Sequence, residues 1–154
     1  ISNSTLTLEI VKEWVEGGAD INHQDESGYT ALMWASKRGQ LNIVQYLLQN
    51  GADVDIQNNW GETALTWASI NGRLEILELL LQNGAKASNI NLQDCWGNTA
   101  LMEACYEGHL EIVKLLVQNG ASINIEDYWG KAVLKKVSMY GHVEILQYLI
   151  DYVI

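Results

Sequence analysis

Two helical spacings of apolar residues alternate along the chain. In the stretch from Leu41 to Leu48, the residues Leu41, Ile43, Val44, Leu47 and Leu48 form a wide apolar stripe, and copies begin at Leu74, Leu110 and Val143. Such a stripe predicts an amphipathic helix with one buried face. Ahead of the first copy runs a shorter segment, Thr30 to Arg38. Ala31 and Ala35 lie one turn apart there and give a smooth face that a neighbour can approach closely. Thr30 predicts the N-cap of this helix, and Gly39 its stop. Asn50-Gly51 predicts a left-handed close for the second helix. From Ala52 to Trp60, short alternation and an Asn-rich tip predict a hairpin-like connector.

The same phrases return. GYTALMWA at 28–35 is echoed by GETALTWA at 61–68 and GNTALMEA at 97–104, while GKAVLKKV at 130–137 has drifted. The leading glycines Gly28, Gly61, Gly97 and Gly130 are spaced by 33, 36 and 33 residues. A second glycine follows at Gly39, Gly72, Gly108 and Gly141, and QNGA closes three second helices at 49–52, 82–85 and 118–121. One helix pair cannot bury its own stripe, so stacked copies must do it. The pattern predicts an all-α repeat fold, a solenoid of stacked helix-turn-helix units with hairpin-like connectors. It forms a single domain over 1–154, with a partial unit at 1–27, units at 28–60, 61–96 and 97–129, and a capping-like unit at 130–154. Lys131, Lys135 and Lys136 predict the polar inner helix a capping unit needs. Three extra residues near Ala87-Ser88-Asn89 account for the longer spacing, either as a tolerated loop insertion or as a lengthened finger toward a partner.

These phrases resemble the ankyrin repeat, with its Asp-x-x-Gly-x-Thr-Pro-Leu-His-x-Ala signature, over nearly the whole chain. The family's Pro is replaced by Ala31, Ala64, Ala100 and Val133, which a helix tolerates well. Its His is replaced by Met33, Thr66, Met102 and Lys135, which implies loss of the hydrogen bond that His gives. His109 and His142 stand where the family commonly carries a His that caps the second helix. The resemblance implies that a protein or extended peptide binds on a concave face made of connector tips and first helices. Carried over by position, the tips are Glu26-Ser27, Asn59-Trp60, Cys95-Trp96 and Tyr128-Trp129. Tyr29, Glu62, Asn98 and Lys131 follow the turn glycine. The first helices contribute Met33, Trp34, Thr66, Trp67, Met102, Glu103, Lys135 and Lys136, with Arg38 and Tyr106 near their ends. Residues 21–53 also resemble a repeat of small ankyrin adaptors related to the RFX-complex ankyrin subunit, through Leu32-Met33-Trp34-Ala35 and Leu47 to Asp53. Those adaptors hold short extended peptides in the concave groove.

Two tryptophan columns stand out: Trp34 with Trp67, and Trp60 with Trp96 and Trp129. Each is either a structural wedge against the next unit or a binding hot spot. Replacement of the first column by Glu103 and Lys136 argues that the position is not deeply buried. The change from aromatic residues through Glu103 to lysine predicts a partner with an apolar or extended segment at the N-terminal half and an acidic group at the C-terminal half.

Composition narrows the partner. The chain has 154 residues, a formal charge of -10 and a pI near 4.5. An acidic surface repels phosphate, which argues against nucleic acid and favours basic partner segments. No apolar run is long enough for a membrane span. Cys95 and Cys105 fit neither a disulfide framework nor a CxxC pair, as expected of reduced thiols inside a cell. No zinc spacing, GxSxG, Walker or GxGxxG sequence is present, so neither cofactor nor catalysis is expected. Cys105 and His109 are four residues apart, but Gly108 intervenes. Asn3-Ser4-Thr5 matches a glycosylation acceptor, and Asn22, Asn91 and Asn124 occupy a position hydroxylated in some ankyrin proteins. A monomeric intracellular interaction module is therefore expected. The alternatives are a regulatory or targeting segment of a larger enzyme or effector, and an array that associates end to end.

Overall fold

The computed structural model describes residues 6–84 and 89–153. Asn3, Ser4 and Thr5, and Ala87 and Ser88 of the insertion, lie outside those residues. Among the described residues run nine helices. They are α1 (Leu8–Glu16), α2 (Ala31–Arg38), α3 (Leu41–Gln49), α4 (Ala64–Ile70), α5 (Leu74–Gln82), α6 (Ala100–Glu107), α7 (Leu110–Gln118), α8 (Val133–Tyr140) and α9 (Val143–Val153). After α1 they come in pairs. The first helices α2, α4, α6 and α8 pack side by side in one column, and α1, α3, α5, α7 and α9 form a second.

Local chemistry sets the helix ends. The Thr30, Thr63 and Thr99 hydroxyls accept the backbone N–H of Met33, Thr66 and Met102 at 3.3, 3.2 and 3.3 Å. Each bond satisfies a donor that a helix start leaves open. Ala132 holds that place in the fourth pair and offers no such bond. Gly39, Gly108 and Gly141 close α2, α6 and α8 in the left-handed region. Between adjacent first helices lie Ala35, Ala68 and Ala104, fully buried, with Val137 in the fourth. Leu47, Leu80, Leu116 and Leu149 are equally buried at one place in α3, α5, α7 and α9.

The connectors are turns rather than strand ladders, with a single isolated antiparallel bridge, Glu126 to Ala132, among the described residues. Asp25 Oδ1 accepts the N–H of Ser27 and of Tyr29 at 3.0 and 2.9 Å. Asn58, Asp94 and Asp127 repeat this on their own turns. Glutamines then join turn to turn. The Gln24 amide donates to Gly28 O (2.8 Å) and to Gln57 O (3.0 Å). Gln57 donates to Gly61 O and Gln93 O, and Gln93 to Gly97 O and Glu126 O.

Three sequence expectations need correction. The residue at the family histidine's place still makes a hydrogen bond in one unit, where Thr66 Oγ1 accepts the Thr63 N–H at 3.2 Å. His109 makes no side-chain cap to α7. Its ring instead meets Ile70 O of the preceding unit at 3.2 Å, and His142 meets Tyr106 O at 2.9 Å. The inner helix of the last unit is only partly polar, because Met139 and Tyr140 are exposed on α8 together with Lys135.

The turn glycines allow close stacking. Gly97 has φ +82, and a Cβ there would lie 2.8 Å from Tyr128 N and 3.0 Å from Asp127 Cα. Gly97→Ala is therefore expected to destabilise the fold by about 2–4 kcal/mol, through both the left-handed backbone and the clash. Urea unfolding checks this, and a loss no larger than that of a surface substitution would contradict it.

Candidate protein-binding face

The connector tips and the first helices form one continuous face. At its N-terminal half Tyr29, Trp34, Trp60 and Trp67 gather from two units. Tyr29 stacks on Trp34 with centroids 4.7 Å apart, and lies 5.8 Å from Trp67 and 6.1 Å from Trp60. The Lys37 ammonium sits 3.8 Å from the Trp67 ring centroid and 5.3 Å from that of Trp34, where the ring quadrupole attracts a cation. Arg38, exposed, lies over Trp34 at 5.3 Å. The Trp34 indole N–H donates to Asp25 Oδ2 at 3.2 Å. The Trp67 indole N–H is buried without a hydrogen-bond partner, so ring contacts and the ammonium hold that side chain.

Charge in this cluster is balanced inward. Burial acts to raise the Asp25 carboxyl, but the N–H groups of Tyr29, Trp34 and Ser27 hold it below the usual range. Burial, with the charge of Glu62, pushes the Tyr29 hydroxyl up to about 12. The Asn58 amide donates to Glu62 Oε2 at 2.7 Å.

The C-terminal half is different. Tyr106 and Tyr140 meet edge to face at 4.5 Å. Lys136 Nζ pairs with Asp127 Oδ2 at 3.0 Å and donates to Asn98 Oδ1 at 2.5 Å. Burial acts to raise Asp127, but the Lys131 N–H and the Lys136 ammonium hold it low. Burial and the charge of Asp94 push Glu103 up to about 7, against the pull of Lys136.

Not every expected contact residue is available. Met33, Thr66 and Met102 are buried rather than open on the face. A position one residue along a helix turns by about 100°, and these three fall on the side covered by neighbouring helices. Tyr29 and Glu62 are also buried, as floor rather than surface. Lys136 is committed to Asp127, so it is not the free cation that an acidic partner group requires. Trp34 and Trp67 are half-buried against the core. Exposed are Arg38, Asn59, Tyr106, Tyr128 and Lys135, and half-exposed are Asn98, Glu103 and Lys131. The tip column is open, with Trp60, Trp96 and Trp129 at 40, 44 and 63% exposure. Those tips are tied by backbone bonds, from Cys95 N to Trp60 O (2.7 Å) and from Tyr128 N to Trp96 O (3.1 Å).

Sequence reasoning missed the glutamine series. Gln24, Gln57 and Gln93 recur in register, a signal that was there to read. Cys105 is buried, and that burial pushes its thiol up to about 12, while His109 faces Ile70 O. Such a thiol is a poor nucleophile. No described helix is long and apolar enough to cross a membrane.

A family profile described as ankyrin repeats (3 copies) matches residues 2–91 and 86–154. No curated protein matches the chain.

Glu103 supplies a pH test. Its folded pKa lies above the ordinary carboxyl value of 4.5, so the native state binds the proton more tightly than the unfolded chain does. Its contribution to stability is full below pH 4.5 and is lost as pH rises through about 7. Glu103→Gln is expected to raise Tm by about 3–6 °C at pH 8 and not near pH 4. A variant that melts no higher than wild type at pH 8 would contradict this.

Proposed function

We propose that this chain, which belongs to the ankyrin-repeat family, binds an extended stretch of another protein along the face of connector tips and first helices. Ankyrin repeats are in general protein–protein interaction modules, and the family is typically non-catalytic. The observation that carries the reading is the column of open indoles at Trp60, Trp96 and Trp129. Large exposed apolar rings in one row favour a partner, because indoles supply much of the energy of interfaces when they are covered. The row runs beside the Tyr29–Trp34–Trp67 cluster, so an extended segment meets tip indoles on one side and helix side chains on the other. The formal charge of -10 favours a partner with basic segments.

A second reading, end-to-end association, rests on the terminal faces. An apolar cavity of about 370 Å³ opens at α1, lined by Val11, Trp14, Val15 and Ile21. At the other end Val143, Tyr152 and Val153 are exposed. Terminal units without a polar outer face favour association. Light scattering over a range of concentrations tests it, and a strict monomer removes it.

Trp34 and Trp67 are poor test positions, because their loss removes packing as well as surface. Trp96→Ala combined with Trp129→Ala is expected to weaken partner binding by about tenfold or more while Tm changes little. Cross-linking with mass spectrometry locates the contact. Undiminished binding, with cross-links confined to the outer helices, would refute the reading.

A further inference from the structure

A recess of about 370 Å³ opens on the same face between α6 and α8. Tyr106, Tyr140 and Trp129 wall it, and Glu103 lines it with Lys131 and Lys136. It has room for one long side chain rather than for a folded ligand. Two carboxyls, Glu103 and Asp127, and two ammoniums, Lys131 and Lys136, line it. Asp127 is already paired with Lys136, which Asn98 shares. Glu103 has no such close ion pair among the described residues, and the like charges of Asp94 and Glu107 act on it from its own unit.

The neighbouring register indicates what is needed. One unit earlier, Lys37 reaches forward and seats its ammonium 3.8 Å from the Trp67 ring centroid. Glu103 holds the place of Trp67, and Ile70 holds the place of Lys37. The chain thus supplies a cation over Trp67, whereas at the next step the cation's place is taken by Ile70 and the ring's place by a carboxyl.

We propose that an arginine or lysine side chain of an extended basic partner segment enters this recess, pairs with Glu103 and lays its stem against Tyr106, Tyr140 and Trp129. This rests on the reading that the face binds an extended segment. Aromatic walls suit such a residue, since they cover its methylene stem and attract its charge. An entering cation favours the ionised form of Glu103, which burial and Asp94 otherwise hold near 7. Binding therefore strengthens as pH rises through that value.

The test uses a nonaarginine peptide, with nonaglutamate as its counterpart, by calorimetry and amide chemical shifts. Glu103→Gln is compared with Glu78→Gln, which makes the same charge change on the exposed side of α5. Glu103→Gln is expected to weaken nonaarginine binding by about tenfold and Glu78→Gln by less than about twofold. For wild type, Kd should tighten by about tenfold between pH 6 and pH 8, and much less in Glu103→Gln. Glu103→Lys, which places at 103 the residue type that Lys136 carries one unit on, should shift preference toward nonaglutamate. Equal weakening by both glutamine variants would overturn the proposal, as would wild-type binding of nonaglutamate in the recess. Shifts on tips and first helices that persist unchanged in Glu103→Gln would remove the recess but leave the face. Shifts confined to the outer helices would remove both.

Discussion

How closely one turn can sit on the next governs everything else in this molecule. At Gly28, Gly61 and Gly97 an added Cβ would lie 2.7–3.0 Å from atoms of the following turn. Only glycine combines that approach with a left-handed backbone at little cost. Turn contact limits the distance between first helices, on which Ala35, Ala68 and Ala104 are fully buried. That distance brings Lys136 onto Asp127 and Lys37 onto Trp67, so the electrostatics of the face follow from backbone spacing.

Much of the architecture was legible in the sequence because it repeats. The glycine period, the threonine caps and the buried stripes each recur in register, so chance agreement at one unit is corrected by the others. The face was less legible. Met33 and Trp34 are adjacent in sequence, yet one is buried and the other half-exposed. Which of them a neighbour covers depends on the angle at which units stack, and no single unit encodes that angle. Replacement of Trp67 by Glu103 correctly indicated a position that tolerates charge. The pairing of Lys136 with Asp127 was not legible, because the two lie nine residues apart and only the fold brings the connector to the helix.

The face also illustrates how charge is distributed in a chain with so many carboxyls. Asp25, Asn58, Asp94 and Asp127 each spend one oxygen on two backbone N–H groups of a turn. These acids are structural, and Asn58 shows that the role requires an acceptor rather than a charge. Glu103 is a different kind of acid. It stands on a helix, in a position otherwise held by an indole or an ammonium, and its ionisation responds to what lies beside it. Acidity in the connectors therefore builds the scaffold, while the acid at Glu103 lines an open recess on the first helices.

The glutamine series has a direction. Each amide nitrogen has two hydrogens, one holding its own turn closed and one reaching forward to the next unit. Glu126 occupies the fourth place and has no amide hydrogen to reach forward with. A unit that opens takes the forward bond of its predecessor but leaves that predecessor's own turn intact. Damage is thereby contained: the array can fray stepwise from one end, as separable units do, without unlatching the rungs behind.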